Sequence, residues 1–355
     1  PVRLEVVETV WGPLVGEDAS GRPVALAWTA HRREALNLAL FDLERAADLE
    51  SAMAVAARAG IPAQNALIGD AAGRIGWVIA GRIPERSGFD GSRPASWARE
   101  GTGWSGWIEP ARQPRLADPA GGQAWSANAR VIGGEALAIL GDGGYAHGAR
   151  SRQIRDRLTP LVDAAPRDFL TIHLDDEARY KAQWRPLLRS VLEAGGDRFA
   201  PAAALLEGWA GRAAAGDHAY RLLREFEQAV TQRAFEMLTV EARARWPGWR
   251  FRVPPAFGDA AWRLVTERPA HLLDPRFESW DAWLAAAAEA AIDAAAEGCS
   301  SLGACPWGEA NTTLIRHPLS MAVPALAAWL DMPATAMSGD WSVPRVQTPG
   351  FGASE

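Results

Sequence analysis

The chain has 355 residues, 43 Asp plus Glu against 37 Lys plus Arg, and a net charge of −6; at roughly 100–200 residues per domain, that is one large domain or two closely joined ones. Hydrophobic content of 48% and charged content of 23% exclude wholesale disorder, and the acidic balance argues against a dedicated nucleic-acid binder. No apolar run approaches the ~20 residues that span a bilayer, and the acidic, alternating start from Pro1 to Thr9 is no signal peptide.

Two details of composition stand out. The chain carries 17 Trp, and Lys181 is its only lysine. Along the chain, Leu4 to Val10 reads as a strand entering a turn at Trp11-Gly12-Pro13. Asp18 to Gly21 is a turn and Pro23 to Trp28 a second strand, so the two can pair antiparallel. Ala46 to Ala59 has helical composition and is stopped by Gly60 and Pro62. Ala66 to Gly81 places two apolar strands about an Asp70-Ala71-Ala72-Gly73 turn, which is a hairpin pattern. Residues 82–122 are dense in Gly, Pro and Trp and too long for a simple connection, so an ordered functional loop is expected. Gln123 to Asn128 reads as a short strand.

From Ser151 the character turns helical. Ala219, Leu222, Leu223, Phe226, Val230, Ala234 and Met237 keep the spacing of one long amphipathic helix. Trp280, Trp283, Leu284, Ala287, Ala288, Ala291 and Ile292 make another, with Ser279 as its cap and Gly298 as its stop. After Met332 the composition is again Pro- and Gly-rich. The pattern gives an α+β class in three parts: a β-rich segment 1–150, a helical lobe 151–300 and a return segment 301–355.

Several motifs fail their structural tests. Gly101-Thr102-Gly103-Trp104-Ser105-Gly106 spells GxGxxG, but no strand precedes it and no helix pattern follows. There is no Walker loop, HExxH or GxSxG. His147 and His317 are the most site-like histidines, and a structural role is the better reading of each. Cys299 and Cys305 have no metal-ligand spacing; they either close a short disulfide loop or are two small buried residues. Trp97, Trp104, Trp107 and Trp125 could stack sugars or peptides, or anchor loops and core.

A series of short motifs in fixed order then resembles the β-chain of the penicillin acylase family. It begins with Pro62-Ala63-Gln64-Asn65, Gly69 to Gly76, Gly81 to Arg86 and Gly88 to Gly91. Trp104 to Ile108, Pro114, Asp118-Pro119, Gly122, Ala127 to Val131 and Gly148 to Ile154 continue it. Leu174-Asp175, Glu207-Gly208-Trp209, Trp307-Gly308, His317-Pro318-Leu319, Gly339-Asp340 and Phe351 to Ser354 complete it.

The resemblance implies an N-terminal-nucleophile hydrolase: antiparallel strands of an αββα core with a large helical insert. In that family an N-terminal Ser attacks an amide carbonyl, its own α-amine is the general base, and the acyl-enzyme is hydrolysed. This chain starts instead with Pro1. The expectation is therefore an internal segment, inactive alone, whose partners are an α-chain, the β-chain's nucleophile segment and a small N-acyl amide substrate. Neither nucleic acid nor membrane is an expected partner. Asn128 matches the family's oxyanion-hole asparagine, a neutral donor suited to a developing oxyanion, although Ala129 stands where a second Asn often follows. Arg150 matches the family's active-site arginine. Without the resemblance, Asn128 reads as a strand-end residue satisfying a turn and Arg150 as a surface or capping arginine. Arg152 and Arg155 read as solvated helix positions, and Gln64 and Asn65 as fasteners of backbone near the hairpin. No cofactor is expected here. Asp142 lies where the family can place a calcium carboxylate, but calcium needs about six to eight oxygens and the set in this chain is incomplete. The family implies a periplasmic or secreted location. The competing readings are a non-catalytic Trp-rich carbohydrate- or peptide-binding module and a structural half of a larger assembly.

Overall fold

The computed structural model describes residues 3–18, 20–141, 144–248 and 250–348. Antiparallel sheets come first and helices follow, as the α+β pattern requires. The chain forms two compact units, Pro1–Tyr145 and Ala146–Glu355.

In the first unit, β1 (Glu8–Thr9), β2 (Gly12–Glu17) and β3 (Pro23–Ala25) form an antiparallel sheet in that order; the two expected strands are shorter than predicted and do not pair with each other, because β2, which begins in the expected turn, lies between them. Gly12 is required there: at φ +138° a Cβ would sit 2.0 Å from the Leu26 carbonyl oxygen. Helix α1 (Leu49–Arg58) starts at Asp48, which accepts from Ser51 N–H while Ser51 returns the bond in a capping box. The expected hairpin forms as β4 (Gln64–Gly69) and β5 (Ile75–Ala80), joined in register from Gln64↔Ala80 to Gly69↔Ile75.

Alternation along β5 sends Gly76, Val78 and Ala80 to one face and Trp77 to the other. Val78 and Ala80 meet Leu49, Met53 and Ala56 of α1 in a small core. Trp77 is also buried, and its indole N–H donates to Asn65 Oδ1 at 2.8 Å. Asn65 thus fastens a side chain, not the backbone.

The long Gly/Pro/Trp segment is not one loop. It folds into β6 (Pro84–Ser87) and β7 (Gly103–Trp107), which pair with each other, and β8 (Arg115–Ala117), which joins β5. The GxGxxG match falls on β7, so the dinucleotide reading has no helix to act through. Residues 123–126 form no strand: the segment lacks a partner ladder and runs into a turn. Helix α2 (Gly134–Leu140) ends on Arg86, whose Nη2 donates to the Ala138 and Ile139 carbonyls at 3.2 and 2.7 Å.

The second unit is helical: α3 (Ala149–Leu158), α4 (Pro166–His173), α5 (Arg179–Ala182), α6 (Trp184–Ala194), α7 (Ala200–Glu207), α8 (His218–Leu238), α9 (Val240–Arg245), α10 (Phe257–Glu267) and α11 (Trp280–Ala296), then three short helices, α12 (Trp307–Ala310), α13 (Pro318–Ala322) and α14 (Ala327–Leu330). Helix α8 is its axis. Leu222, Leu223, Phe226, Val230 and Ala234 are sealed against Trp283, Leu284, Ala287 and Ala291 of α11 and Trp184 and Leu188 of α6. Asp217 and Ser279 cap α8 and α11 by accepting from Tyr220 N–H and Ala282 N–H.

The return segment is stitched to this core by polar bonds. Trp307 Nε1–H donates to the Gly339 carbonyl at 2.8 Å. Buried Asn311 donates to the carbonyls of Met337 and Gly339, and Gly339 N–H donates to the Ala213 carbonyl at 2.7 Å. Cys299 and Cys305 form a disulfide, with Cα atoms 5.7 Å apart.

Candidate functional site

Asn128 belongs to the first unit and sits at the apex of a tight turn. Ala129 N–H donates to the Ser126 carbonyl at 3.1 Å, and Ala127 and Asn128 both have left-handed φ, +52° and +60°. Two consecutive positive φ values in a closed four-residue turn are the signature of type I′. Asn tolerates this region; Ala does so only at a cost of roughly 1–2 kcal/mol. Ala129 is buried beneath the turn while Asn128 is exposed, so the turn presents the carboxamide outward.

Arg150 belongs to the second unit, in the first turn of α3. That turn contains no acidic residue, so the arginine faces the positive end of the helix dipole. It is half-buried, and burial holds its guanidinium below the usual arginine range. Helix α3 is pinned beneath it by residues on the same stripe. Gln153 Nε2–H donates to Asp175 Oδ2 at 2.9 Å and to the Glu177 carbonyl at 3.0 Å. Arg157 Nε–H donates to the same Asp175 oxygen at 2.8 Å. Arg152 and Arg155 are exposed, as expected.

His147 sets the start of α3. Its Nδ1 accepts from Ala149 N–H at 3.1 Å, which leaves Nε2–H to donate to Asp259 Oδ1 at 2.8 Å. His317 plays the same part at α13, accepting from Leu319 N–H at 3.1 Å. Both histidines are therefore structural. The visible signal was position alone: each lies two residues before a backbone N–H that a helix start leaves without a partner.

Beside His147 a cavity of about 650 Å³ opens within the second unit, lined among others by Glu227, Gln228, Thr231, Gly258 and Trp341. Glu227 is committed behind this wall to Lys181 at 2.6 Å. Tyr180 stacks between His147 and Trp341 at ring distances of 4.4 and 5.5 Å. Burial, with the charges of Glu227 and Asp259, raises its phenol well above the usual value, so it stays protonated.

In the Trp-rich segment, Phe89, Trp97 and Trp104 pack on one another at ring distances of 5.8 and 5.4 Å with planes tilted by about 55°, and Arg82 lies 5.9 Å above Trp107. These indoles serve as anchors for the β6–β7 hairpin. Asp142 lies outside the described residues. Among the described residues no three His, Cys, Asp or Glu side chains gather as a metal site, and no helix is long and apolar enough to cross a membrane.

Comparison with known proteins agrees with the motif order. The penicillin amidase family model matches residues 1–353. The chain is 29% identical to penicillin acylase 2 proenzyme of Pseudomonas sp. (strain SE83) over 350 residues, which are 95% of this chain and 43% of that protein. Over 137 residues, 37% of this chain and 17% of the relative, it is 32% identical to the acyl-homoserine lactone acylase QuiP of Pseudomonas fluorescens (strain Pf-5). The chain thus spans less than half the length of these relatives. Its fold is similar to that of a thermostable penicillin G acylase from Alcaligenes faecalis, with a TM-score of 0.53 at 16% identity, covering 82% of this chain and 57% of that one.

Proposed function

Since the chain belongs to the penicillin amidase family, we propose that it is the segment of an amide-hydrolysing acylase that supplies the oxyanion donor and a supporting cation, the nucleophile coming from sequence outside these 355 residues. In this reading an N-terminal Ser hydroxyl attacks the carbonyl carbon of an N-acyl amide, and its proton passes to the Ser α-amine. The C–N bond then breaks, the amine leaves with that proton, and water hydrolyses the acyl-enzyme. The Asn128 carboxamide donates to the carbonyl oxygen as it becomes negative. Arg150 acts as a positioning residue, a fixed charge that biases the field at the amine. Substrates are N-acyl compounds of the kinds in the relatives' names, β-lactam side-chain amides or acyl-homoserine lactones, and the location is periplasmic or secreted.

The observation that carries this reading is the strained turn at Ala127-Asn128. Backbone outliers of this kind gather at functional sites, where the surroundings hold a group ready for use.

The test uses the full acylase and a chromogenic acyl-anilide. Asn128→Ala should lower kcat by roughly 10²–10³ with little change in KM, while the 355-residue chain alone should give no turnover. An unchanged kcat in the Asn128→Ala enzyme removes Asn128 from the site. Turnover by the isolated chain removes the external nucleophile.

A further inference from the structure

One end of α8 and one end of α11 meet around a buried cation that has no carboxylate partner among the described residues. Arg221 is only 6% exposed. Its Nη2 donates to the Glu297 and Ala294 carbonyls at 3.0 and 3.3 Å, and its Nη1 points at Cys305 Sγ from 3.0 Å. Its Nε–H has no acceptor among the described residues. Every other buried arginine or lysine of this unit has a carboxylate in reach: Lys181 has Glu227, and Arg224 has Glu225 and Asp340. Burying a charge without a counter-ion is costly, so the contact with sulfur calls for a reason.

The disulfide is also asymmetric. Cys305 is sealed, with 1% exposure. Cys299 is half-buried on a loop whose next residues, Ser300 and Ser301, are exposed. The Glu297 carbonyl, 3.7 Å from Cys305 Sγ, is the opposing dipole, and Arg221 already donates to it.

We propose that this disulfide is a thiol-exchange site at which a small thiol or dithiol attacks Cys299 and Cys305 leaves as a thiolate paired with Arg221. The attacking thiolate forms a new S–S bond to Cys299 Sγ, the Cys299–Cys305 bond breaks, and its electron pair stays on Cys305. A second thiol then resolves the mixed disulfide, so one protein disulfide is reduced as two external thiols are oxidised. A stabilised leaving thiolate speeds the first step and raises the reducibility of the bond. Helix α11 keeps its cap throughout, because the bonds from Arg221 to its last carbonyls do not depend on the disulfide.

The test equilibrates the 355-residue chain in mixtures of reduced and oxidised dithiothreitol and counts maleimide-trapped thiols by mass spectrometry. Arg221→Gln should need at least a tenfold higher ratio of reduced to oxidised reagent for half-reduction, about 30 mV; Arg221→Lys should shift it less than threefold. An Arg221→Gln midpoint at or below the parent's overturns the proposal. Should that variant not fold, the parent chain decides. After a brief exposure to glutathione and an acid quench, the adduct should map to Cys299 with Cys305 free, and an adduct on Cys305 overturns the proposal equally.

Discussion

The single lysine gives a direct measurement of how the helical unit holds together. Lys181 is fully buried. Its ammonium meets Glu227 Oε2 at 2.6 Å, Asp340 Oδ2 at 4.0 Å and the Trp341 ring at 4.9 Å. Asp340 is already served by the Tyr220 hydroxyl at 2.6 Å and Arg224 Nε at 3.4 Å. Glu227 is therefore the partner that neutralises the lysine. Removing one member of a buried pair costs about 3–5 kcal/mol, because the other charge is left uncompensated. For Glu227→Gln the residual attraction of Asp340 places the cost near the lower end, about 3 kcal/mol, or roughly a hundredfold in the opening equilibrium.

An amine-reactive ester reads that equilibrium at one side chain, since acylation of Lys181 requires the surrounding helices to open. The expected result is a Lys181 acylation rate about two orders of magnitude higher in Glu227→Gln than in the parent, with a matching loss of stability in urea. Lys181→Met with Glu227→Gln should recover most of that stability, because a neutral pair of similar volume leaves no stranded charge. A Glu227→Gln chain whose acylation rate stays within threefold of the parent would refute the assignment of Glu227 as the counter-charge.

Three further expectations rest on local geometry. Burial pushes the Asp175 carboxyl up, but Arg157, Gln153 and the Glu177 N–H together hold it below the usual range; its contribution is thus present above the unfolded value near pH 4 and lost as pH falls through the lower folded value. Asp175→Asn should flatten the acid limb of the stability curve, and an unaltered slope below pH 4 would show that the carboxylate is not linked to folding. Gly76→Ala places a Cβ 2.8 Å from the Leu116 carbonyl oxygen and 3.0 Å from Met53 Sδ, so it should cost about 1–3 kcal/mol by forcing β5 from β8; an unshifted denaturation midpoint would contradict that packing. Ala127→Gly relieves roughly 1–2 kcal/mol of left-handed strain against about 0.4–1 kcal/mol of added chain entropy, so a small net stabilisation is expected, and a clear loss in thermal denaturation would argue against the turn.

What the sequence revealed and what it hid divide along physical lines. The β4–β5 hairpin, α8 and α11 were legible because period and caps agree locally: Gly73 takes the left-handed turn position at φ +81°, and Ser279 caps as read. The Trp-rich stretch was misread as a loop because β6 and β7 are mostly Gly, Ser, Trp and Arg, whose pairing is settled by partner strands and indole packing. The Gln123–Asn128 strand failed because nothing in its alternation announces two successive left-handed residues. Several motifs of the family resemblance proved to be structural rather than chemical. Asp175 anchors α3, Trp307 and Gly339 share a hydrogen bond, and Asp340 closes the charge network around Tyr220 and Arg224. Such contacts join residues 22 to 120 positions apart, and no local pattern records them.

Asn128 and Arg150 share a property that those structural motifs lack. Trp307, Asp175 and Asp340 are buried, and hydrogen bonds or ion pairs offset the cost of burying them. Asn128 stands next to an alanine in a left-handed turn, and Arg150 occupies the unfavourable end of a helix dipole while losing solvent. Each position carries one unfavourable local term and has strong neighbours: the buried Ala129 beside the turn, and the Gln153–Asp175–Arg157 clamp on α3. If these positions served the fold alone, relaxing them should be free of functional cost. Ala127→Gly would then stabilise the chain and leave the full acylase unaffected. If the turn serves to aim the carboxamide, the same substitution should stabilise the chain yet lower kcat, because glycine frees the turn to sample other conformations. Stability and turnover moving in opposite directions would separate a site residue from a structural one at this turn.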